Sequence, residues 1–132
     1  MDATPEIKLV IWDLDDTLWR GTLAEGDQIT LNEDFAEIVR KLNIRGVVSS
    51  ICSKNDFEAA KAKLTEFALF DQFVFPFISF SPKGEAVSAI VEQMQLRPQN
   101  VLFVDDNVNN LAEVRAREPE IHVADAREPA TL

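Results

Sequence analysis

Two hydrophobic patterns alternate along this chain. Short, nearly continuous apolar runs occur at Lys8–Asp13, Val47–Cys52, Phe73–Ile78, Val101–Asp105 and Ile121–Ala124, rich in Val, Ile and Phe. Such runs predict short strands buried on both faces. Between them, apolar residues recur at helical spacing: Phe35, Ile38, Val39 and Leu42, then Val87, Ile90, Val91 and Met94, with a looser stripe of Phe57, Ala60, Leu64 and Phe67. Asn32, Asn55 and Asn107 precede these segments as candidate N-caps, and Ser81-Pro82 reads as an N-cap followed by proline at the first helical position. A strand-helix alternation of this kind predicts an α/β architecture: three layers, Rossmann-like, with a five-stranded parallel sheet covered by helices on both faces. No internal repeat or low-complexity tract interrupts it, and Arg127–Leu132 reads as a frayed tail.

Length and composition narrow the picture. A chain of 132 residues with 46% hydrophobic residues suits one domain, 1–132, with its own core and no room for a second catalytic domain. No apolar run approaches the roughly 20 residues of a membrane span, and Met1–Lys8 is too polar for a signal peptide, so a cytoplasmic location is expected. Cys52 is the single cysteine, which excludes an internal disulfide and agrees with a reducing compartment. A formal charge of −10 argues against a nucleic-acid partner. It also means that an anionic substrate needs a local positive centre, whether a metal ion or a lysine.

Candidate chemistry sits where the strands end. In an open parallel sheet, ligands bind beyond the carboxyl ends of the strands. Those ends carry Asp13-Leu14-Asp15-Asp16-Thr17, Ser53-Lys54-Asn55, Ser81-Pro82-Lys83 and Asp105-Asp106-Asn107. If the first strand stays extended, Asp13 and Asp15 point the same way, an arrangement of like charges that needs a cation. Taken alone, Asp-x-Asp is more often a solvated acidic turn or a helix cap. Carboxylates, a hydroxyl and a lysine converging on one sheet edge are what metal-assisted phosphoryl transfer needs.

These residues resemble the haloacid dehalogenase (HAD) superfamily of aspartyl-phosphate phosphotransferases, over nearly the whole chain. Asp13, Asp15 and Thr17 match its first motif, Ser53 the second, Lys83 the third, and the Asp105-Asp106 pair the fourth. More closely, Trp-Asp-Leu-Asp-Asp-Thr-Leu-Trp-Arg-Gly, Cys-Ser-Lys-Asn-Asp and Phe-Val-Asp-Asp-Asn look like subfamily IIIC, FkbH-like domains. These include domains that load glyceryl groups from phosphorylated glycerate onto acyl carrier proteins, and the subfamily also holds magnesium-dependent phosphatases. The resemblance implies Asp13 as nucleophile and Asp15 as the acid that protonates the leaving group and then activates water. It places Mg²⁺ between Asp13, the backbone carbonyl of Asp15 and Asp106, with Asp105 holding a metal-bound water. Phosphate oxygens would be gripped by Ser53 and Lys83, together with the backbone at Leu14, Asp15 and Lys54. His122, in the last strand, is expected to be structural.

Many relatives insert a cap domain that selects small substrates. Here residues 18–32 leave space only for a short flap, and Ser79–Ser81 leave none at the second insertion point. A capless site favours a large substrate, a partner that supplies the lid, or oligomerisation. Trp19, Arg20 and Leu23 are the flap candidates for contact with the leaving group, although Trp19 could simply pack in the core. Cys52 is either a small core residue or, as in the glyceryl-transferring relatives, a possible acyl carrier. That second role would involve an acyl carrier protein or a downstream domain. Two other classes compete. A receiver-type phosphorylation switch would carry its acceptor on the middle strand, where no aspartate is found, and a non-catalytic scaffold would have lost motif residues, of which none is missing.

Overall fold

The computed structural model describes residues 6–128. Its elements in chain order are β1 (Leu9–Trp12), β2 (Trp19–Arg20), β3 (Thr30–Leu31), α1 (Glu33–Ile44), β4 (Val48–Ser53), α2 (Phe57–Glu66), β5 (Phe77–Ile78), α3 (Lys83–Gln93), β6 (Val101–Asp105), α4 (Val108–Arg117) and β7 (His122–Asp125). Five of the strands form one sheet in the order β5-β4-β1-β6-β7, and every pairing in it is parallel. The predicted three-layer α/β fold is therefore the observed one.

Period-two alternation along β1 divides the core between the two helical layers. Val10 and Trp12 pack with Phe35, Val39, Ala60 and Leu64, the faces of α1 and α2. Leu9 and Ile11 pack with Val87, Ile90, Phe103 and Val114 on the other side, where α3 and α4 lie. Full burial of each such side chain is worth about 1.5–3 kcal/mol, so a slip of one residue in β1 would exchange both sets and is strongly disfavoured. The same alternation fixes the next residue: Asp13 continues the Leu9–Ile11 face and emerges toward the start of α3.

Local signals account for most helix starts. Asn32 accepts from the backbone N–H of Phe35 at 3.1 Å, and Asn107 from that of Asn109 at 2.8 Å, as expected of N-caps. Asn55 is not a cap. Asp56 takes that role on α2, accepting from Ala59 N–H at 2.9 Å, which releases the Asn55 side chain for the sheet edge. At α3 the cap is Pro82 itself, with no side-chain cap bond, and Lys83 opens the helix.

Two further expectations change, at the third strand and at the tail, while the expected short flap takes the form of a hairpin. The third strand does not run from Phe73 to Ile78: Phe73 makes an isolated bridge to Ser49, Phe75 has a φ of 48°, and only Phe77–Ile78 pair with β4. A left-handed residue cannot continue a strand, and its carbonyl is instead bonded by the Ser50 hydroxyl at 2.8 Å. Residues 18–32 contain an antiparallel pair, β2 with β3, closed through a 3₁₀ turn at Leu23–Glu25. Gly21 within it has a φ of 103°, and a Cβ there would lie 2.9 Å from the Gln28 carbonyl oxygen, so this bend needs glycine. Arg127 is not frayed, since its guanidinium donates to both carboxylate oxygens of Asp125 at 3.1 and 2.8 Å. The rest of the expected tail, residues 129–132, and residues 1–5 of the polar start lie outside the described residues. His122 has a structural partner in the carbonyl of Gln99, 3.1 Å from its Nε2. Among the described residues, no helix is long and apolar enough to cross a membrane.

Candidate active site

Asp13 follows β1 and Asp105 ends β6, the adjacent strand, with Asp13 N–H bonded to the Val104 carbonyl at 3.0 Å. Both carboxylates leave the sheet on the face covered by α3, whose first residue is Lys83. Its ammonium lies 2.7 Å from Asp13 Oδ1, 3.1 Å from Asp105 Oδ2 and 2.9 Å from the carbonyl of Cys52. All three acceptors are buried, so the lysine is a fixed counter-charge. Burial pulls its pKa down, but Asp13 and then Asp105 outweigh that, and it stays fully charged with its pKa raised. Asp105 is closed off further by Asn107 N–H at 2.9 Å and Asn110 Nδ2 at 3.2 Å.

One ammonium does not neutralise this site. Asp13, Asp105 and Asp106 offer carboxylate oxygens within 4.8 Å of one another. Burial, and then Asp105, push the Asp13 carboxyl well above its usual range against the pull of Lys83, and burial foremost pushes Asp106 up as well. Three carboxylates around one lysine carry surplus negative charge, which either a proton or a metal ion must compensate. An all-oxygen set of this kind fits a hard divalent cation. The Thr17 hydroxyl stands between two of these groups, 3.4 Å from Asp13 Oδ2 and 3.3 Å from Asp106 Oδ1.

Asp15 is held differently. Its Oδ1 accepts from Trp19 Nε1 and from the backbone N–H of Leu23, each at 3.0 Å, and its Oδ2 from Asn55 Nδ2, also at 3.0 Å. Asn55, only 2% exposed, also donates to Ser53 Oγ at 2.9 Å and so ties the first motif to the second. The sequence carries a polar residue there, but its cap-like position concealed this role. Trp19 is 1% exposed, and its ring packs against Phe67 at a centroid distance of 6.4 Å. The ring is thus a core group, the second of the two readings open to it in the sequence, and it reaches Asp15 through its N–H. Leu23 likewise acts through its backbone, with a side chain packed on the core. Leu14 is fully buried, whereas Lys54 is exposed. Arg20 is exposed and lines, with Asp16, Thr17, Leu31 and Arg127, an open groove of about 550 Å³ beside the acidic cluster.

Cys52 faces the opposite way from Ile51, into the apolar layer formed by Ala86, Val87 and Ile90. The side chain is 1% exposed, and burial pushes its thiol up to about 12. A thiol in that state has almost no thiolate at neutral pH.

The family model for haloacid dehalogenase-like hydrolases matches residues 20–116. The chain belongs to that family. The match spans well over half of the chain and takes in Ser53, Lys83, Asp105 and Asp106, while Asp13 and Asp15 precede it. A hydrolase of this family is an enzyme, and the strand-end residues occupy the sheet edge where its fold binds ligands. No curated protein matches the chain. Among solved structures, the chain is similar to the N-terminal part of a Bacteroides fragilis protein containing a phosphatase domain complexed with Mg. There the identity is 24% and the TM-score 0.84, with 94% of this chain covered but only 38% of that one. It is also similar to a HAD-superfamily hydrolase from Ehrlichia chaffeensis, at 13% identity and a TM-score of 0.74, covering 98% and 97% of the two chains. The cobalt-bound deoxy-D-mannose-octulosonate 8-phosphate phosphatase of Haemophilus influenzae is a third, at 16% identity and 0.67, covering 85% and 65%. At these identities the likeness speaks for the fold.

Proposed function

We propose that this hydrolase is a Mg²⁺-dependent phosphohydrolase or phosphotransferase that works on a phosphate monoester or acyl phosphate through an aspartyl phosphate on Asp13. The observation that carries this reading is the Asp13–Lys83–Asp105 arrangement with Asp106 beside it. A buried carboxylate held at one oxygen by Lys83 keeps its second oxygen, Oδ2, toward Thr17 and Asp106. That oxygen, not engaged by the ammonium, is the one proposed to attack phosphorus. Attack forms the Asp13 Oδ–P bond and breaks the bond from phosphorus to the leaving oxygen, which takes its proton from Asp15. Water then attacks phosphorus, Asp15 accepts its proton, and inorganic phosphate leaves with the Asp13 carboxylate restored.

Asp13, Asp106 and the backbone carbonyl of Asp15 would hold Mg²⁺, with Asp105 supporting it; bound there, the ion supplies charge neutralisation for the transferring phosphoryl group. Ser53 and the backbone N–H groups near Leu14 and Lys54 would donate to the phosphoryl oxygens, while Lys83, its three N–H bonds engaged by Asp13, Asp105 and the Cys52 carbonyl, would contribute its positive charge beside them. Likeness to the Mg-complexed phosphatase domain supports the choice of metal. The two insertion points hold only the β2–β3 hairpin and Ser79–Pro82, which supports a capless, open site. A glyceryl-transferring, FkbH-like role would need an accessible thiol or partner at Cys52, and its burial in the apolar layer favours the phosphatase.

Phosphate release from a panel of phosphate esters and acyl phosphates, with Mg²⁺ or with EDTA, tests this reading on wild type and Asp13→Asn. Release that needs both Mg²⁺ and Asp13 is expected, with the variant slower by at least about a thousandfold. Release unaffected by Asp13→Asn would overturn it.

A further inference from the structure

The catalytic lysine opens a helix that has no cap of its own. Pro82 makes no side-chain cap bond, so the first-turn N–H groups of α3 need an acceptor from elsewhere. The acceptor comes from the neighbouring helix: Glu113 of α4 receives the backbone N–H of Gly84 at 2.7 Å, through Oε2. N–H of the second helical residue is a normal target of an N-cap side chain. Glu113 therefore supplies, from 29 positions further along the chain, the cap that Pro82 cannot. Gly84 permits the approach, since a Cβ at that position would lie 3.3 Å from Glu113 Oε2, 3.4 Å from the Glu113 carbonyl oxygen and 3.5 Å from Arg117 Cβ. The residue being anchored is the immediate neighbour of Lys83, whose ammonium must meet Asp13, Asp105 and the Cys52 carbonyl together.

We propose that Glu113 is a positioning residue for the phosphoryl-transfer site, capping α3 in trans and thereby fixing Lys83 against Asp13. This rests on the functional reading above for its kinetic consequence, though not for its geometry. A second link between the same helices, Ser88 Oγ to Glu118 Oε2 at 2.8 Å, lies further from Lys83 and provides an internal control. Both links join α3 to α4, so both contribute to stability. Only the one at Gly84 bears on the lysine.

The test compares Glu113→Ala, Glu113→Gln, Gly84→Ala and Ser88→Ala by crystal structure, melting temperature and steady-state kinetics on the ester that wild type prefers. In Glu113→Ala, the Lys83 Nζ to Asp13 Oδ1 contact is expected to lengthen beyond hydrogen-bond range, and kcat to fall by about tenfold to a hundredfold, as for a misplaced catalytic group. Glu113→Gln retains an acceptor oxygen of roughly half the strength and should recover most of that loss. Gly84→Ala replaces a poor helix former with a good one yet should lower kcat, a combination that a purely stabilising contact does not produce. Ser88→Ala is expected to lower the melting temperature with kcat unchanged. In a Lys83→Ala background, Glu113→Ala should cost no further activity while still lowering the melting temperature. Unchanged Lys83 geometry and kcat in Glu113→Ala would overturn the proposal, as would Gly84→Ala with full activity should Glu113→Ala not fold. If wild type releases no phosphate from any ester, the functional reading fails, and the Lys83–Asp13 distance still decides the role of Glu113.

Discussion

Asp13 and Asp15 are two residues apart, yet the molecule holds them by opposite means. Asp13 is gripped by a buried cation delivered from the sheet's own helical layer: Lys83 reaches it from α3, beneath the edge of β1 and β6. Asp15 is gripped by neutral N–H groups, two of them from the flap at Trp19 and Leu23 and one from Asn55 after β4. The first carboxylate is fixed by strong, low-dielectric charge pairing that is costly to disturb. The second is fixed by three ordinary hydrogen bonds, each worth about 1 kcal/mol net, or somewhat more because the acceptor is charged. A proposed nucleophile gains from a fixed counter-charge, whereas a group proposed to give and then take a proton is held in place here by neutral donors with no cation bonded to it. The two halves of the active site differ in that respect.

The largest expected effect comes from removing the cation. Lys83→Met leaves two buried carboxylates without a counter-charge, and urea titration should show a loss of about 3–5 kcal/mol. Added Mg²⁺ should restore part of that stability but not phosphate release. If the stability is unchanged without metal, the nucleophile side is not held as described. Next is Asn55→Ala, which deletes the bonds to Asp15 and Ser53 together. Its kcat should fall by about tenfold to a hundredfold, with a modest drop in melting temperature, and an effect on stability alone would show Asn55 to be a packing residue. Trp19→Phe is subtler, because the ring remains against Phe67 and only the indole N–H is lost. Removing that one bond should cost about 1 kcal/mol, or roughly a fivefold fall in kcat. A larger loss would show the flap to be more rigid than three separate bonds imply.

The smallest effect is expected at Cys52, which lies in the layer beneath the site. Its thiol sits at about 12 against an ordinary 9.0, a raised folded-state value. The stability it contributes is thus fully present below pH 9.0 and is lost as pH rises through about 12. Cys52→Ala should flatten the alkaline limb of a stability profile and leave phosphate release at neutral pH nearly unchanged. Loss of release in that variant, with the fold intact, would bring back a chemical role for the thiol.

Legibility in the sequence followed the length and regularity of each element. The β1 and β6 runs were readable because a strand buried on both faces is nearly all apolar up to its end, β4 and β7 because Val and Ile still dominate around their polar residues, and Phe35 to Leu42 because four apolar positions keep a helical period. Asp13, Ser53, Lys83 and Asp105 were readable because each stands where such a pattern stops. The hairpin of Trp19–Arg20 with Thr30–Leu31 was not, since two-residue strands carry no period. The break at Phe75 was hidden because a left-handed phenylalanine has no local signature. Asn55 and Asp56 are both good caps, and the choice between them depends on how the chain leaves β4.

By itself the sequence determined the order of the five sheet strands and the helices between them, the α/β class and the set of polar groups at the strand ends, because these depend on burial patterns repeated over several residues. Only the tertiary structure decided which donor meets which carboxylate. Lys83 is 70 positions from Asp13, Asn55 is 40 from Asp15, and Glu113 is 29 from Gly84. Contacts at such separations depend on how helices seat on the sheet to within an ångström or so, a property of the packed core as a whole that no local stretch of residues encodes.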